Sequence, residues 1–450
     1  MSSRLLFVLL FVLAGAVALA GGGAGVAATP STQCAPAAAY PAATRPVAFW
    51  STEARCAIVP AGPGGVFGPE NFGNKFPGEA AVYMGIVHAA IYDAAVAIEG
   101  GYRPYAPTPR AAEDTSPEAA VATAAYGTLI GLQPALGLTA SQLAFLDGDY
   151  AAYLASVPDD TAKLNGIAVG AQAAQAVLAR RANDGRGCST TLQDLGRPAP
   201  GPGVWQPNAT GTVLGLCLPG MRPLALRRAS QFRPGPPFRL TSRAYAADFD
   251  QVKELGRDTS TSRTPEQTAQ ARFWTDHDIR QWNDGILRLA ADHGLDLVQT
   301  ARMLAMAHLA GGDAMIACFD AKYHYWFWRP FQAIPQADTD GNPATLADPS
   351  WLPLGATPNF PEYPSAHACH SGAVVRALQS FFGTDRVPFS LDSRITHTTT
   401  RYERLHEVVD DVDAARVLVG FHFLNSDLHG SKLGRRVGEY VADHYFPPTG

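Results

Sequence analysis

Apolar residues recur at the period of an α-helix along most of this chain, whereas the alternation typical of a β-strand is rare. Residues 78–99 show this most clearly, because Val82, Ile86 and Ala90 fall along one stripe, which predicts a buried helix. Ala-rich stretches with the same period follow at residues 116–135, 140–156 and 159–183. Consecutive helices of this kind favour a helical bundle, so the predicted fold class is all-α.

Two further helices are predicted in the second half of the chain. Thr264 has the pattern of an N-cap, because Pro265 follows at the first helical position and Gln267 completes a capping box. This helix should run to about residue 289, and another should extend from about 294 to 320.

Two long irregular stretches interrupt the helical pattern, at roughly residues 185–240 and 333–363. The first is rich in Pro and Gly, yet it carries apolar side chains that a free linker would not need: Trp205, Leu214, Leu216, Phe232 and Phe238. It is therefore predicted to pack on the helices as a functional or capping loop.

The N-terminus predicts export. Arg4 is followed by an unbroken apolar run at residues 5–20 and then by small residues as far as Ala28, which is the pattern of a cleavable secretory signal peptide. A retained N-terminal anchor is the alternative. The run is shorter than the ~20 residues that cross a bilayer, and no later stretch is expected to span one. The mature chain is thus predicted to be secreted, with no membrane partner after signal cleavage.

These features divide the chain into four segments. They are a signal peptide at 1–28, an N-terminal extension at 29–64, an N-terminal helical half with the Pro/Gly-rich loop at 65–240, and a C-terminal helical half at 241–450. The residues that carry chemistry, described next, all fall in the last segment.

Composition argues against two kinds of partner. Charged residues make up 17% of the chain and the formal net charge is −5, so nucleic acid is not a predicted partner. Cysteine and histidine do not occur at the spacing of a zinc site, so a structural zinc ion is not predicted either.

Six cysteines in an exported chain allow up to three disulfides. Cys34 with Cys56 and Cys188 with Cys217 are the predicted pairs, because both lie in loop-like sequence that gains most from a crosslink. For the remaining two cysteines, Cys318 and Cys369, the sequence predicts either buried free thiols or a third disulfide.

The first chemical motif is a pair of cations. Lys322 and Arg329 stand seven residues apart in an aromatic run, which in a continuous helix is two turns and would place both on one face. Such a pair either binds an anion or covers apolar neighbours at the surface with its stems.

The second motif is a histidine at a predicted helix start. Ser365 stands at the N-cap of a helix predicted from about Ala366 to Phe382. Free backbone N–H groups and the helix dipole make such an end an anion site. His367 projects from the same turn as a candidate acid or base, and His370 lies one turn further on.

The third motif is Arg416 followed six residues later by His422, in a helix predicted to begin near Asp410. In a helix the two side chains would be about 120° apart, so they could converge only on a site wrapped around that helix. Taken alone, His422 fits a buried core histidine better than a functional one, because a histidine on an apolar helix is most often a core residue.

Taken together, Lys-x6-Arg-Pro, Pro-Ser-x-His and Arg-x5-His in this order resemble the superfamily of vanadium-dependent haloperoxidases and type 2 phosphatidic acid phosphatases. The resemblance extends over roughly residues 65–445 and includes FWRP, PEYPSAHAC and the PGVWQP segment, which look like exported haloperoxidase-type members. It implies two packed helical bundles with long irregular loops and one vanadate or phosphate site in the C-terminal half.

The resemblance also implies a role for each site residue. The oxyanion would be surrounded by Lys322, Arg329 and Arg416, with hydrogen bonds from Ser365 and from the backbone N–H of Ala366. His422 would be the vanadium ligand, or the nucleophile of a phosphatase, and His367 the acid or base at the opposite apical position. The predicted partners are hydrogen peroxide, halide and a small organic substrate; a homodimer is left open.

The sequence departs from the usual family pattern at three positions. Ala366 stands where Gly is usual, Ala415 replaces a Ser before the arginine, and the aspartate after His422 falls five residues on, at Asp427, instead of four. None of these changes removes a cation or a histidine.

A haloperoxidase is the favoured function, with a secreted acid phosphatase that forms a phosphohistidine and a non-catalytic oxyanion-binding protein as the alternatives. The sequence does not decide which halide is preferred. The candidates for the side chains that set this preference are His324, Trp326, Trp328 and His370.

Overall fold

The computed structural model describes residues 40–61 and 73–449. The predicted signal peptide, residues 1–28, and Cys34 of the predicted Cys34–Cys56 disulfide lie outside these ranges. Within them, thirteen α-helices are joined by loops, three short 3-10 helices and one two-stranded β-hairpin. The predicted all-α fold class is confirmed.

The elements of the described part follow in chain order. The helices of the first half are α1 (Arg45–Ile58), α2 (Pro77–Glu99), α3 (Pro117–Leu136), α4 (Ala140–Ser156) and α5 (Thr161–Arg180). The second half contains α6 (Arg243–Leu255), α7 (Pro265–Phe273), α8 (Asp278–Asp292), α9 (Leu297–Tyr325), α10 (Pro330–Ala333), α11 (Ala366–Phe382), β1 (Phe389–Ser393), β2 (Thr398–Tyr402), α12 (Glu407–Leu418) and α13 (Leu424–His444). β1 and β2 pair antiparallel, with Phe389 opposite Tyr402.

The predicted helix from Thr264 to about residue 289 is wrong as one element, because it is broken between Phe273 and Asp278. Thr264 does form the predicted capping box at its start. The break is stabilised by Asp276, which accepts a hydrogen bond from the guanidinium of Arg280 and one from the backbone N–H of Arg394 (2.6 Å). The break also leaves the carbonyl of Trp274, at the end of α7, available to accept a hydrogen bond from Arg416.

The central helix of the fold is α9, which packs against α2 on one side and α11 on the other. Close packing of α11 on α13 depends on glycines. A Cβ on Gly430 would lie 2.7 Å from the carbonyl oxygen of Ser365, and one on Gly434 would lie 2.1 Å from that of Cys369. Because only glycine permits this approach, the N-terminus of α11 is held against the start of α13. One cluster of buried apolar side chains includes residues from both predicted halves of the chain. The division of the chain into two helical halves at residue 240 stays a prediction.

By length and composition, α2 and α3 could each cross a membrane, so the expectation that no later stretch could do so is wrong. Inside the fold, however, 94% of the apolar window of α2 and 61% of that of α3 are buried. Helices of this kind are typical of the core of a globular protein.

The Pro/Gly-rich stretch packs on the helices as predicted. Trp205 is fully buried, and its backbone N–H donates to the carbonyl of Trp326 (2.6 Å). Phe238 is an exception, because 38% of its surface is exposed. The predicted disulfide between Cys188 and Cys217 is present, and Cys318 and Cys369 are buried free thiols.

A buried polar network links the two halves. The rings of His88 on α2 and His308 on α9 stack with centroids 4.5 Å apart. Ser51 donates to the side-chain oxygen of Asn283 (2.8 Å) and lies 3.1 Å from Nε2 of His88, while Nε2 of His308 lies 3.1 Å from the same Asn283 oxygen. Burial lowers the pKa of His88 to about 3 and that of His308 well below its ordinary value.

This network predicts acid sensitivity of the fold. An unfolded histidine titrates near ~6.5, so between that pH and about 3 the unfolded chain binds a proton that folded His88 does not. The free energy of unfolding should therefore fall as the pH drops, by about 1.4 kcal/mol per pH unit for each such histidine. Urea unfolding of wild type and His88→Gln across this range measures it, with the exposed His324→Gln as the control. A slope unchanged in His88→Gln would contradict this account.

Candidate active site

Three cations predicted from separate motifs lie together in the core. Lys322 is in the last turn of α9, Arg329 immediately precedes α10, and Arg416 is in the last turn of α12. Lys322 and Arg329 are fully buried and Arg416 is 2% exposed. Burial lowers the pKa of Lys322 to about 8, that of Arg329 to about 9 and that of Arg416 to about 10. The charge of Arg329 adds to the shift of Lys322, and the charge of Arg416 adds to that of Arg329.

The prediction that Lys322 and Arg329 come together on one face of a continuous helix is wrong. They do not share one helix face, because α9 ends at Tyr325 and the backbone turns at Trp326, which has a positive φ of 53°. The segment after this turn lies beside the Pro/Gly-rich loop, where the N–H of Trp328 donates to the carbonyl of Gly203 (3.0 Å). The turn brings Arg329 back towards the end of α9.

Backbone carbonyls hold each cation in place. Lys322 Nζ donates to the carbonyls of Pro361 (2.9 Å) and Glu362 (2.8 Å). Arg329 donates from Nε to the carbonyl of Phe360 (3.0 Å) and from Nη1 to that of Phe421 (3.1 Å).

Arg416 uses the free carbonyl at the end of α7, that of Trp274, to which its Nη1 donates at 2.6 Å. Within the described part of the chain, Nη2 of Arg329 and Nε of Arg416 are buried without a hydrogen-bond partner. Buried N–H groups are nearly always paired in proteins, so these two donors mark a place where an anion is expected.

His422 lies in the connection between α12 and α13, not on the helix of Arg416 as predicted, because α12 ends at Leu418. Its side chain is 3% exposed; Nδ1 lies 2.8 Å from Oε1 of Glu362 and Nε2 lies 3.3 Å from Nη1 of Arg329. Burial, reinforced by Arg329 and Lys322, lowers its pKa well below the ordinary value. The ring is therefore neutral.

The tautomer of His422 follows from its neighbours. Burial raises the pKa of Glu362 to about 7, with Ser426 and Lys322 opposing the rise. Each oxygen of the ionised carboxylate accepts a hydrogen bond, Oε1 from the backbone N–H of Phe423 (3.1 Å) and Oε2 from the hydroxyl of Ser426 (2.6 Å), so in this form Nδ1 is the atom that donates to Oε1. The lone pair of the neutral ring is then on Nε2, on the side of Arg329. A neutral imidazole nitrogen with a free lone pair is the form that binds a metal or attacks an electrophile.

The N-terminus of α11 provides the second side of the site. Ser365 is its N-cap residue, as predicted, but the hydroxyl does not cap the helix. Burial raises the pKa of Asp427 well above its ordinary value, with Asp413 adding to the effect and Ser365 opposing it, so Ser365 lies beside this carboxyl. Ala366 is 6% exposed and lines the cavity at the site.

His367 is half-buried, and its Nε2 has no hydrogen-bond partner in the described structure. Burial, and then the charge of Arg416, lowers its pKa to about 3, with Asp278 opposing the shift. His367 is therefore a neutral base at rest. His370 lies behind it with Nδ1 3.1 Å from Oδ2 of Asp278, fully enclosed, so it is a neighbour of the site and not a part of its surface.

A partly enclosed cavity of about 210 Å³ lies beside the cations, and a more open cleft of about 850 Å³ shares the walls at His367 and Arg416. The smaller cavity is mainly apolar, lined by Phe76, Leu214, Met315, Phe319 and Phe360 together with four of the predicted site residues, Ala366, His367, Arg416 and His422. None of the four residues proposed for halide preference, His324, Trp326, Trp328 and His370, is among the described lining residues.

Sequence reasoning missed Glu362 and the apolar lining. Glu362 stands between Pro361 and Pro364 in the PEYPSAH segment, and no motif in the sequence marks its carboxylate. Phe360 precedes that segment, and its ring lies against both cations, 5.0 Å from Nζ of Lys322 and 4.8 Å from the guanidinium carbon of Arg329. Phe76 and Leu214 come from distant parts of the chain, and no sequence pattern marked them.

The sequence profile described as the VCPO second helical-bundle domain matches residues 302–447, which include all the predicted site residues. Vanadium chloroperoxidase of Curvularia inaequalis is 32% identical over 149 residues, which cover 27% of this chain and 24% of that protein. The chain is a homologue of the vanadium-dependent haloperoxidases. The predicted family is confirmed, and the sequence match spans about a quarter of the length of this curated relative.

Solved structures extend the likeness over most of the chain. A bacterial vanadium-dependent iodoperoxidase aligns with a TM-score of 0.71 at 21% identity, over 89% of this chain and 96% of that one. The holo form of a bacterial vanadium-dependent chloroperoxidase aligns with a TM-score of 0.63 at 16% identity, over 82% and 92% of the two chains. At these identities the likeness is one of fold, and it includes both helical halves.

Proposed function

We propose that this chain is a secreted vanadium-dependent haloperoxidase that oxidises halide with hydrogen peroxide at a vanadate bound to His422. One observation carries the proposal: Arg416 and the neutral His422 line one cavity, Arg329 lies 3.3 Å from Nε2 of that histidine, and both arginines have a buried N–H donor without a partner. Its similarity to a vanadium chloroperoxidase and to a vanadium-dependent iodoperoxidase supports the proposal. The disulfide between Cys188 and Cys217 supports export to an oxidising compartment.

The residues present fit a vanadate. Lys322, Arg329 and Arg416 supply positive charge that burial makes costly unless an anion compensates it. The backbone N–H of Ala366 and the Ser365 hydroxyl would add donors from the helix start. Nε2 of His422 is the available ligand atom. When bound, the vanadate would make peroxide electrophilic enough for a halide to attack it.

His367 is placed to move the protons of that reaction. It is neutral, its Nε2 is unpaired, and its side chain lines both the smaller cavity and the open cleft. It can take a proton from peroxide and give it back to the oxygen atom that is released as water, while the further proton that the oxidation of halide consumes enters from the cleft. The apolar cavity is large enough for peroxide and halide, and the cleft has room for a small organic substrate.

An acid phosphatase remains the second candidate, because the same geometry places a neutral His422 and a second histidine, His367, on one cavity beside three cations. In that case His422 would attack phosphorus and His367 would protonate the leaving group.

The two functions are separated by one pair of assays. The mature chain is purified without phosphate, loaded with orthovanadate, and assayed for peroxide-dependent bromination of a phenolic dye and for hydrolysis of p-nitrophenyl phosphate. We expect bromination that requires vanadate and is suppressed by competing phosphate. Hydrolysis of the ester, inhibited by vanadate, would instead establish the phosphatase. Binding of vanadate without turnover in either assay would leave a non-catalytic oxyanion-binding protein.

A further inference from the structure

Glu362 connects the separate parts of the site. Its carbonyl accepts a hydrogen bond from Nζ of Lys322 (2.8 Å), and its backbone N–H donates to the carbonyl of Phe327 (2.9 Å). Its carboxylate contacts Nδ1 of His422 through Oε1 (2.8 Å) and accepts the hydroxyl proton of Ser426 at Oε2 (2.6 Å). The side chain is completely buried and, with the N–H of Phe423, each oxygen has a partner.

We propose that Glu362 is the positioning residue of His422, keeping its ring oriented with the Nε2 lone pair towards the oxyanion and strengthening that nitrogen as a ligand. The inference rests on the proposed function only for the identity of the oxyanion. Its physical basis is that a carboxylate accepting the Nδ1 proton makes the opposite nitrogen more basic, which tightens its bond to a metal. Charge-assisted hydrogen bonds of this kind are also about twice as strong as neutral ones.

The other nearby carboxylate does not serve this purpose. Asp427, the aspartate that follows His422 in the motif, makes no hydrogen bond to His422; its neighbours are Ser365 and Arg416, which both oppose the rise of its pKa. The acceptor of Nδ1 is instead Glu362, 60 residues away in sequence. A merely structural role for Glu362 would need no charge, because a neutral amide oxygen can accept the N–H groups of both Phe423 and His422.

This difference makes Glu362→Gln the decisive variant. Glutamine keeps the shape and the acceptor at Oε1, and its amide can donate to Ser426, so the fold should be preserved while the charge is lost. We expect vanadate to bind about 10- to 100-fold more weakly, measured by calorimetry on the phosphate-free protein. Asp93→Asn is the matched control, since Asp93 is also a buried carboxylate that accepts two backbone N–H groups, and it lines neither cavity.

A second readout requires no bound oxyanion. In protein with ¹⁵N-labelled histidine, the His422 resonances, assigned by their absence in His422→Gln, should report an Nδ1–H tautomer in wild type. In Glu362→Gln the Nδ1 proton should move upfield, because its acceptor is no longer charged. If Glu362→Gln does not fold, Ser426→Ala removes one donor to the same carboxylate and should weaken vanadate binding by about three- to tenfold.

The possible outcomes are distinct. Wild-type affinity for vanadate in Glu362→Gln, with an unchanged Nδ1–H resonance, would overturn the inference. An Nε2–H tautomer of His422 in wild type would overturn it as well. Failure of the wild-type protein to bind vanadate or phosphate would count against the proposed function, while the tautomer measurement would still decide the role of Glu362.

Discussion

Replacing His422 with alanine is expected to lower the rate of peroxide-dependent halide oxidation by about a thousandfold or more. Among the described groups at the cavity, His422 combines neutrality, near-complete burial and an Nε2 lone pair directed towards the cations. Alanine leaves the cations in place, so the oxyanion should still bind, although more weakly. The loss should therefore appear mainly in kcat at saturating vanadate, measured by steady-state bromination.

The control for this prediction is His324→Ala, which removes an exposed histidine from the same helix end as Lys322 without touching either cavity. Its activity should equal that of wild type. Activity within tenfold of wild type in His422→Ala would exclude His422 as the vanadium ligand.

Arg329→Met is expected to weaken vanadate and phosphate binding by at least about a hundredfold, which is typical when one member of a buried charge pair is removed. Wild-type protein at a hundredfold excess of vanadate over Kd should gain about 2.7 kcal/mol of stability, seen as a rise in Tm, and the variant should lose this rise. The unliganded variant should melt within a few degrees of wild type. Its two lost carbonyl contacts are offset by removal of a buried cation that repels Lys322 and Arg416.

A matched control is Arg302→Met, which removes an arginine that likewise donates from Nε to one carbonyl, that of Phe446 (3.0 Å), and lies over an aromatic ring, Tyr102 (4.7 Å). Its vanadate-induced rise in Tm should equal that of wild type. Thermal scans of the three proteins with and without vanadate make the comparison. An undiminished rise in Arg329→Met would remove Arg329 from the binding site.

The residues of the site could be predicted from the sequence because their types and their order along the chain define the motifs. Lys322, Arg329, Arg416, His367 and His422 were identified by their motifs, and the structure brings all five to one buried place. The helices were also predictable, since a 3.6-residue period of apolar side chains and a capping box are local properties, as at Thr139 and Thr264.

Predictions of geometry from spacing failed at the ends of helices. Arg329 and His422 were both placed on continuous helices, yet each follows a helix that has already ended, at Tyr325 and at Leu418. Tertiary contacts decide these ends. The loop around Trp205 pairs with the segment after Tyr325, for example, and this pairing replaces the hydrogen bonds that another helical turn would have supplied.

By itself, the sequence determined that this is a mostly helical chain with an oxyanion-binding set of residues. Periodicity, helix caps and the types of charged side chain are properties of short stretches of sequence, so they can be identified without the fold. Only the tertiary structure decided how the site works. The choice of Glu362 over Asp427 as the partner of His422, and the apolar wall of Phe76, Leu214 and Phe360, depend on which distant segments meet in the core. The physical reason is that burial sets the charge state of a histidine and the cost of each cation, and burial is a property of the folded chain alone.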